Sequence, residues 1–525
     1  MKNSYLYITL LAVLGFNADA LAQTKSNGQP PKLVVNIAID QFRTDYLEAF
    51  SPLYATNGFK RLLNEGRVFT NASYPFSPID RASAIAAIGT GVTPYYNSIV
   101  GQRWLNRETL RPIGCVDDKK YLGVRTNDTA SPKALSTSTV GDELKVATEG
   151  SAIVYAIAPF RDAAVLSAGH AADLALWLDD KSGRWCTSQY YSTTLPLWLH
   201  AINAVDAPAK TLDSLKWEPI NNVGNFSYFM HAGQQKPFKH DFAGPRRFEE
   251  FKASAMVNAS VTDLAIQSVE NNGMGTDMVT DMLYLTYYAG NYNHKTLTEC
   301  LMEMQDTYVR LDREIARLVN KLEGKVGRGN VLFVITSTGY SDQESANYEK
   351  HRIPTGTLQM GRTTNLLNMY LCAIWGQGKY AETHFRNQIF LNRNILEQKR
   401  ISLSDACNRS REFLAMLSGV RNVYTTLQLL TAGDEPTRKI RNGFNPERCG
   451  DLIIEAAPGW RLVNEDTQEQ ELVRASFIQF PIIFFGAGMP AERISTPVTI
   501  DRIAPTIARS IRIRAPNACS SEPLF

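Results

Sequence analysis

Short, uninterrupted runs of apolar residues recur along the chain and alternate with segments of helical pattern. The first run, Leu33–Ile39, is rich in β-branched residues and ends at a carboxylate, Asp40. Such a run is typical of a strand that is buried on both faces of a parallel sheet. Similar runs predict strands at residues 152–157, 331–336, 370–375 and 481–485. Because open α/β sheets bind their ligands beyond the carboxyl ends of the strands, Asp40 is a candidate site residue.

The clearest helical pattern lies in the middle of the chain. Its apolar residues are three or four positions apart, and they are Leu301, Met304, Tyr308, Leu311, Ile315, Leu318 and Leu322. Gly324 is predicted to lie just past the end of this helix. Strands that alternate with helices indicate an α/β fold with a doubly wound, mostly parallel sheet. Periodicity is weak from about 170 to 290, where we expect insertions that form a cap over one end of the sheet.

The first residues have the pattern of a secretory signal peptide. Lys2 supplies a positive start, residues 5–16 are apolar, and Ala20 and Ala22 form a small-x-small cleavage site. We therefore predict a signal peptide at 1–22 and one large domain at 23–525, exported to the periplasm, the cell surface or the medium of a Gram-negative bacterium. No later run is long and apolar enough to predict a membrane-spanning helix.

Composition and charge exclude few classes of function. The 525 residues are 44% hydrophobic and 20% charged, and the formal net charge is only +3, so nothing favours nucleic-acid binding. The seven cysteines are scattered, without a CxxC or zinc-ribbon spacing, at positions 115, 186, 300, 372, 407, 449 and 519. Export permits disulfide bonds, but the spacing leaves their pairing open.

Several longer segments, in order along the chain, carry a resemblance to a known family. They are Leu33–Tyr46, Gly58–Leu63, Gly91–Trp104, Ala168–His170, Trp177–Gly183, Asp306–Arg313, Ile353–Gly356 and Asp501–Thr506. In these segments the chain resembles the alkaline phosphatase superfamily and, within it, the PafA-like phosphatases of Bacteroidetes. The resemblance implies the fold of that family, whereas function has to be argued from the site.

The resemblance implies a pair of zinc ions, held by Asp and His side chains, that activate a Thr or Ser nucleophile. Of the metal-binding positions, Asp40 keeps its residue type. The other matched positions carry unsuitable residues, namely Asn291, Lys295, Thr338, Gly339 and Gln470, and the nucleophile position carries Arg81. Ser83 lies two residues after the nucleophile position, so its side chain points to another face of the helix. His294 is next to a matched position, but a one-residue shift would not restore the missing Asp.

The positions that support the phosphoryl oxygens in the family have also changed, to Gln102, Phe160 and Asp162. Because a lone buried carboxylate is costly, we expect Arg81 to pair with Asp40, with Lys295 as a second candidate. Arg81, Arg161 and Lys295 are candidates for binding an anion in the former phosphate pocket.

Four further polar residues lie near the matched segments. His170 and His351 are interpreted as structural. Asp342 and Glu344 could supply replacement carboxylates, although loop acids are usually solvated.

Together these residues predict an exported, catalytically inactive phosphatase homologue. We expect it to bind a partner or an anionic ligand in the cell envelope, without zinc. The alternative is a divergent alkaline phosphatase or phosphodiesterase-type hydrolase, which would require a metal site built from other residues.

Overall fold

The computed structural model describes residues 29–205, 207–221, 237–341, 351–431, 433–465, 470–471 and 478–525. The predicted signal peptide at 1–22 lies outside the described residues, and so do Asp342 and Glu344.

The strands of the main sheet come from almost the whole length of the chain. They are β1 Leu33–Asp40, β2 Arg67–Ser73, β5 Asp117–Val124, β6 Thr129–Ala130, β7 Val154–Ile157, β8 Leu174–Leu178, β9 Trp185–Ser188, β12 Asp281–Tyr288, β13 Val331–Ser337, β21 Phe480–Gly486, β22 Glu492–Ile494 and β23 Val498–Thr499. Shorter strands outside it are β3 Arg103–Leu105, β4 Pro112–Gly114, β10 Lys216–Trp217, β11 His240–Asp241, β14 Gly356–Gln359, β15 Ala381–Phe385, β16 Gln388–Leu391, β17 Val420–Thr425, β18 Leu452–Ala456, β19 Trp460–Val463 and β20 Gln470–Glu471.

The centre of the main sheet is parallel, in the order β13-β1-β12-β7-β8. Antiparallel strands extend both edges, with β21 pairing β13 on one side and β9 pairing β8 on the other. The predicted α/β fold with a mostly parallel central sheet is confirmed. β1 lies in the middle, so the residue at its carboxyl end is surrounded by neighbouring strand ends.

The helices of the described residues cover both faces of this sheet and also pack in a separate core further along the chain. They are α1 Thr44–Ala49, α2 Phe59–Glu65, α3 Arg81–Thr90, α4 Pro94–Asn97, α5 Val140–Ala147, α6 Arg161–Ala168, α7 Leu197–Val205, α8 Pro208–Thr211, α9 Arg247–Lys252, α10 Val257–Asn272, α11 Leu301–Val326, α12 Met360–Trp375, α13 Arg393–Gln398, α14 Leu403–Ala415, α15 Thr426–Thr431, α16 Glu435–Asn442 and α17 Ile503–Ser510.

Alternate residues of β1 enter different cores. Val35 and Ile37 are fully buried in a cluster with apolar side chains of α10 and α11. Val34 is buried on the opposite face, in a cluster with side chains of α3, α6 and α17. Because side chains alternate along a strand, a run that is apolar at every position requires cover on both faces.

Two details of the predicted elements are wrong. Residues 370–375 form the last turns of α12 rather than a strand, since Leu367 and Leu371 are buried one helical turn apart. A short apolar run fits both element types, and the spacing upstream decides between them. Gly324 lies inside α11, which continues to Val326 and ends at Gly327 with φ of +101°.

The expected cap at about 170–290 has a mixed structure. Strands β8, β9 and β12 in this range pair within the main sheet, whereas β10 and β11 form a separate hairpin. A second sheet, which has four strands in the order β15-β16-β18-β17, lies further along the chain and has its own hydrophobic core. In the described ranges, no helix is long and apolar enough to cross a membrane.

Candidate functional site

The candidate site lies where the strand ends of β1, β12 and β13 meet the first turns of α3 and α6. Asp40 ends β1, beside Tyr288 of β12, and Thr338 directly follows β13. Arg81 is the first residue of α3, and Asp162 is the second residue of α6. The fold therefore brings together residues that are widely separated in sequence.

Asp40 is fully buried, and both of its carboxylate oxygens have partners. The hydroxyl of Thr338 donates to Oδ1 at 2.8 Å, and Nη1 of Arg81 lies 3.4 Å from Oδ2. The same Thr338 hydroxyl accepts a hydrogen bond from the backbone N–H of Gln41 at 2.9 Å. The ion pair expected between Arg81 and Asp40 is thus present in the structure.

Arg81 binds a second carboxylate more extensively than it binds Asp40. Its Nε and Nη2 lie 3.2 and 3.1 Å from Oδ1 of Asp162, and its guanidinium lies 3.7 Å from the ring centroid of Phe160. Burial lowers the pKa of Arg81, but the charges of Asp162 and Asp40 outweigh burial and raise it. A cation at a helix N-terminus opposes the helix dipole, so these carboxylates also offset that cost.

Asp162 is held by an amide as well as by the guanidinium. Nε2 of Gln102 donates to its Oδ2 at 3.0 Å. Burial alone would raise the pKa of Asp162, but the Arg81 charge and the Gln102 hydrogen bond lower it below the usual value. Asp162 therefore stays ionised near neutral pH.

Asp80 positions both partners of this carboxylate, a role that the sequence analysis missed. Its side chain accepts from the backbone N–H of Ser83 at the start of α3, and from the backbone N–H of Gln102 at 2.7 Å. The hydroxyl of Ser83 returns a hydrogen bond to Asp80, so Ser83 serves the helix cap. An Asp three residues before a Ser at a helix start was the signal available for this role.

The space beside Gly339 is filled by an aromatic ring. A Cβ atom at Gly339, where φ is +70°, would lie 2.3 Å from Cε2 of Tyr74. The Tyr74 hydroxyl donates to the backbone carbonyl of Ser337 at 2.8 Å, which fixes the ring in place. A larger side chain at Gly339 could not be accommodated without displacing Tyr74.

Asn291 and Lys295 have local roles. Asn291 is buried, and its Nδ2 donates to the backbone carbonyl of Lys295 at 2.9 Å. Lys295 is exposed, with Nζ 5.2 Å from the ring centroid of Tyr292. Its side chain lies at the surface against Tyr292 and forms no ion pair with Asp40, so the suggestion that Lys295 also pairs with Asp40 is wrong.

The three basic candidates do not form one anion pocket. Arg161 turns to the edge of the sheet, where Nη2 lies 2.6 Å from Asp117 and Nη1 donates to the carbonyl of Thr129. Lys295 lies against Tyr292, as described above. Arg81 is the basic candidate that faces Asp40.

The remaining candidates lie elsewhere or contribute through the backbone. The backbone N–H of His170 donates to Asp142 at 2.7 Å, in keeping with a structural role. His294 and His351 are exposed. Gln470 belongs to β20, which pairs with β19 in a small separate sheet.

The donor set does not fit a zinc ion. Within the part of the chain that the structure describes, no group of three or more His, Cys, Asp and Glu side chains is arranged to hold a metal ion. Both Asp40 oxygens are already bonded, and a guanidinium lies against one of them. Among the described residues, Arg81 links the two carboxylates of Asp40 and Asp162.

Comparison with known proteins gives a consistent picture of ancestry. Residues 34–476 match the family described as type I phosphodiesterase / nucleotide pyrophosphatase. The chain is 27% identical over 541 residues to the alkaline phosphatase PafA of Elizabethkingia meningoseptica, and the match covers 98% of both chains. It is 28% identical over 546 residues to the alkaline phosphatase PhoV of Synechococcus elongatus, again covering 98% of each.

A solved structure extends this similarity to three dimensions. The crystal structure of wild-type alkaline phosphatase PafA superimposes with a TM-score of 0.82 at 26% identity, covering 94% of this chain and 98% of that one. The resemblance to PafA-like phosphatases is confirmed for the family and for the fold.

Proposed function

We propose that this chain, which belongs to the type I phosphodiesterase / nucleotide pyrophosphatase family, does not hydrolyse phosphate esters and acts as an exported binding protein of the cell envelope. Its ligand would be a protein partner or an anionic molecule. The proposal rests mainly on one observation, the guanidinium of Arg81 placed 3.4 Å from the buried carboxylate of Asp40.

The chemistry of a guanidinium explains why this contact argues against catalysis. A guanidinium has no lone pair for a metal and keeps its positive charge at all relevant pH values. Beside Asp40 it would repel a divalent cation and compete for the carboxylate. Arg81 also offers no hydroxyl that could attack a phosphorus atom.

The carboxyl end of β13 supports the same proposal. Thr338 uses its hydroxyl to bind Asp40, and Tyr74 occupies the space next to Gly339. Hydroxyl groups are poor zinc ligands, and glycine provides none. Restoring a zinc site would therefore require several changes, including the removal of a buried ring.

The alternative, a divergent phosphate-ester hydrolase, is favoured by the relatives themselves. Two relatives that match over the full chain carry the name alkaline phosphatase. Under this alternative, replacement ligands such as Asp342 and Glu344 would complete a metal site with Asp40, and they remain candidates because they lie outside the described residues.

The decisive experiment measures metal content and hydrolysis together. The mature protein, residues 23–525, would be dialysed against zinc, and its zinc content determined by elemental mass spectrometry. Hydrolysis of p-nitrophenyl phosphate and bis-p-nitrophenyl phosphate would be followed on the same sample. We expect no stoichiometric zinc and no turnover above the blank.

The matched control is Asp40→Asn, which removes the one retained ligand-type residue at the same size. We expect wild type and Asp40→Asn to give equal zinc contents and equal background rates. Close to two zinc ions per chain, with turnover that chelators and Asp40→Asn both abolish, would overturn the proposal in favour of the hydrolase.

Export is tested separately by the N-terminus of the protein recovered from its native cell. Cleavage after Ala22 would leave Gln23 as the first residue, which Edman sequencing or peptide mass spectrometry would detect. A mature chain that still contains residues 5–16 would contradict the predicted signal peptide.

A further inference from the structure

Helix α7 presents an apolar face to solvent. Leu197, Ala201, Ala204 and Val205 follow the i, i+4, i+7, i+8 pattern of one helical face, and all four are exposed. Leu197 is 88% exposed and Val205 is 66% exposed. The helix has the sequence LWLHAINAV, without an Asp, Glu, Lys or Arg. Because a surface helix normally carries charged or polar residues on its solvent side, this face is suited to contact with another apolar surface.

The other side of α7 is fixed to the body of the protein. Trp198 and Ile202 pack against the hydrophobic cluster that also contains residues of β1. Asn203 is bonded to β9 in both directions. Its Nδ2 donates to the backbone carbonyl of Trp185 at 2.8 Å, and its Oδ1 accepts from the backbone N–H of Trp185 at 2.9 Å. Rotation of the helix to bury its apolar face would break these contacts.

Three exposed cations lie next to α7. Arg184 directly precedes β9, which is bonded to α7, and Lys181 lies in the turn between β8 and β9. The same turn is bonded to α8, because the backbone N–H of Ala209 donates to the carbonyl of Gly183 at 2.9 Å. Lys210 follows Ala209 in α8. Each of the three cations is exposed, and none forms an ion pair with another described residue.

The neighbouring carboxylates leave this positive charge in excess. Asp180 pairs with Lys252, and Asp213 pairs with Arg247. Asp206, which follows α7 directly, lies outside the described residues and contributes one negative charge against the three cations. The surface around α7 therefore combines apolar side chains with net positive charge, which is complementary to an apolar layer covered by anionic groups.

We propose that α7 docks this protein on an anionic phospholipid membrane. Leu197 and Val205 enter the boundary between headgroups and acyl chains, and Lys181, Arg184 and Lys210 lie against the lipid phosphates. An apolar helix face bordered by cations is the arrangement by which interfacial helices bind such membranes. Since only two large side chains enter the lipid, the binding is peripheral, reversible and sensitive to salt.

The test measures co-sedimentation of the mature protein, residues 23–525, with two kinds of vesicle. One kind is phosphatidylcholine alone, and the other is an equal mixture of phosphatidylcholine and phosphatidylglycerol. At low ionic strength we expect at least about tenfold tighter binding to the mixed vesicles. This preference should largely disappear at about 1 M salt, where the Debye length is about 3 Å.

Two sets of substitutions separate the apolar contribution from the charged one. Leu197→Ser combined with Val205→Ser should lose most of the binding without a change in charge, because it removes the side chains that enter the lipid. Lys181→Gln, Arg184→Gln and Lys210→Gln together should lose the preference for anionic vesicles. All five side chains are exposed, so both variants should keep the unfolding temperature of wild type.

The matched control substitutes two exposed apolar side chains elsewhere. Met369 in α12 and Met416 after α14 are 67% and 73% exposed. Met369→Ser combined with Met416→Ser should leave vesicle binding unchanged, since no docking role is assigned to that surface.

Four outcomes would overturn the inference: no binding to either kind of vesicle, equal binding to both, a full anionic preference in the triple Gln variant, or equal losses from the α7 pair and the control pair. A protein partner at α7 would give the first of these outcomes. The membrane inference goes beyond the proposed function, because it does not depend on chemistry at Asp40. Vesicle binding needs neither zinc nor a phosphate ester, so the two proposals can fail separately.

Discussion

At the scale of single residues, the chemistry of the site depends on Arg81. It occupies the first position of α3, and its guanidinium joins Asp40 from one strand end to Asp162 from another helix start. Burying one cation with two anions is tolerable only while each keeps its hydrogen bonds. Substitution of any one of these three side chains should therefore leave the charges of the other two less well compensated.

Arg81→Met should strongly destabilise the protein, because it leaves two carboxylates without their counter-ion and one of them, Asp40, fully buried. We expect a loss of about 3 kcal/mol in the free energy of unfolding, measured by guanidinium chloride denaturation. Arg409→Met is the matched control, since Arg409 pairs with Glu412 on the surface, and its effect should stay within about 0.5 kcal/mol. Equal losses for the two variants would contradict this prediction.

The pH dependence of stability should carry a contribution from Asp162. Its pKa is lowered in the folded protein, so its stabilisation is fully present above the unfolded-state pKa of about 4 and is lost as the pH falls through the lower folded-state value. In Asp162→Asn this component should be missing, which flattens the decline of the unfolding free energy below about pH 4. Parallel acid-denaturation curves for the two proteins would refute the assignment.

At the scale of elements, the end of β13 shows how the backbone is built at two positions where the family resemblance implies metal ligands. The strand passes into Thr338 and Gly339, and the left-handed backbone at Gly339 allows the chain to turn under the Tyr74 ring. Glycine is required both by the positive φ and by the close approach of the ring.

Gly339→Ala should cost about 2–4 kcal/mol of unfolding free energy, from the overpacked ring and the strained φ together. The clash with Tyr74 should be relieved in Tyr74→Ala, so that the added cost of Gly339→Ala falls to about 1–2 kcal/mol, the part due to φ. Tyr74→Phe keeps the ring and should keep the full cost. Chemical denaturation of the set measures each value, and a cost that is independent of Tyr74 would disprove the steric explanation.

At the scale of the whole molecule, a buried carboxylate attaches the second sheet to the hairpin formed by β3 and β4. Asp451, next to β18, is fully buried. It binds Arg107 from that hairpin at 3.2 Å, Arg393 at 2.7 Å and the backbone N–H of Leu391 at 2.9 Å. Asp451 therefore links the second sheet to the β3–β4 hairpin and is not part of the candidate site.

Asp451→Ala should weaken the attachment of the second sheet to the β3–β4 hairpin, because it leaves Arg107 partly buried without its counter-ion. We expect a loss of about 3–5 kcal/mol and faster cleavage in limited proteolysis. Glu455→Ala is the matched control, since Glu455 pairs with the exposed Arg421 on the same sheet. Its cleavage rate should equal that of wild type, and an unchanged rate in Asp451→Ala would contradict the assigned role.

The pattern of apolar and polar residues along the chain was sufficient to predict much of the fold. The run that ends at Asp40 and the run that forms β13 were identified because a strand covered on both faces must be apolar throughout. The same pattern misassigned residues 370–375, because a short apolar run is equally compatible with a buried helix. The substituted residue types at the matched positions, such as Arg81 and Gly339, were also evident from sequence, since identity at a matched position requires no structure.

The sequence by itself determined the α/β fold class, the residue types at the matched positions and the presence of a cation beside Asp40, since these depend on periodicity and on the cost of a lone buried charge. Tertiary structure alone decided which way each charged side chain points. Packing of α3 against α6 places Asp162 on Arg81 across 81 positions of the chain, while Arg161, one residue earlier than Asp162, contacts Asp117 instead. Adjacent residues at a helix start point about 100° apart, so only the packing of the helices determines which of them enters the site.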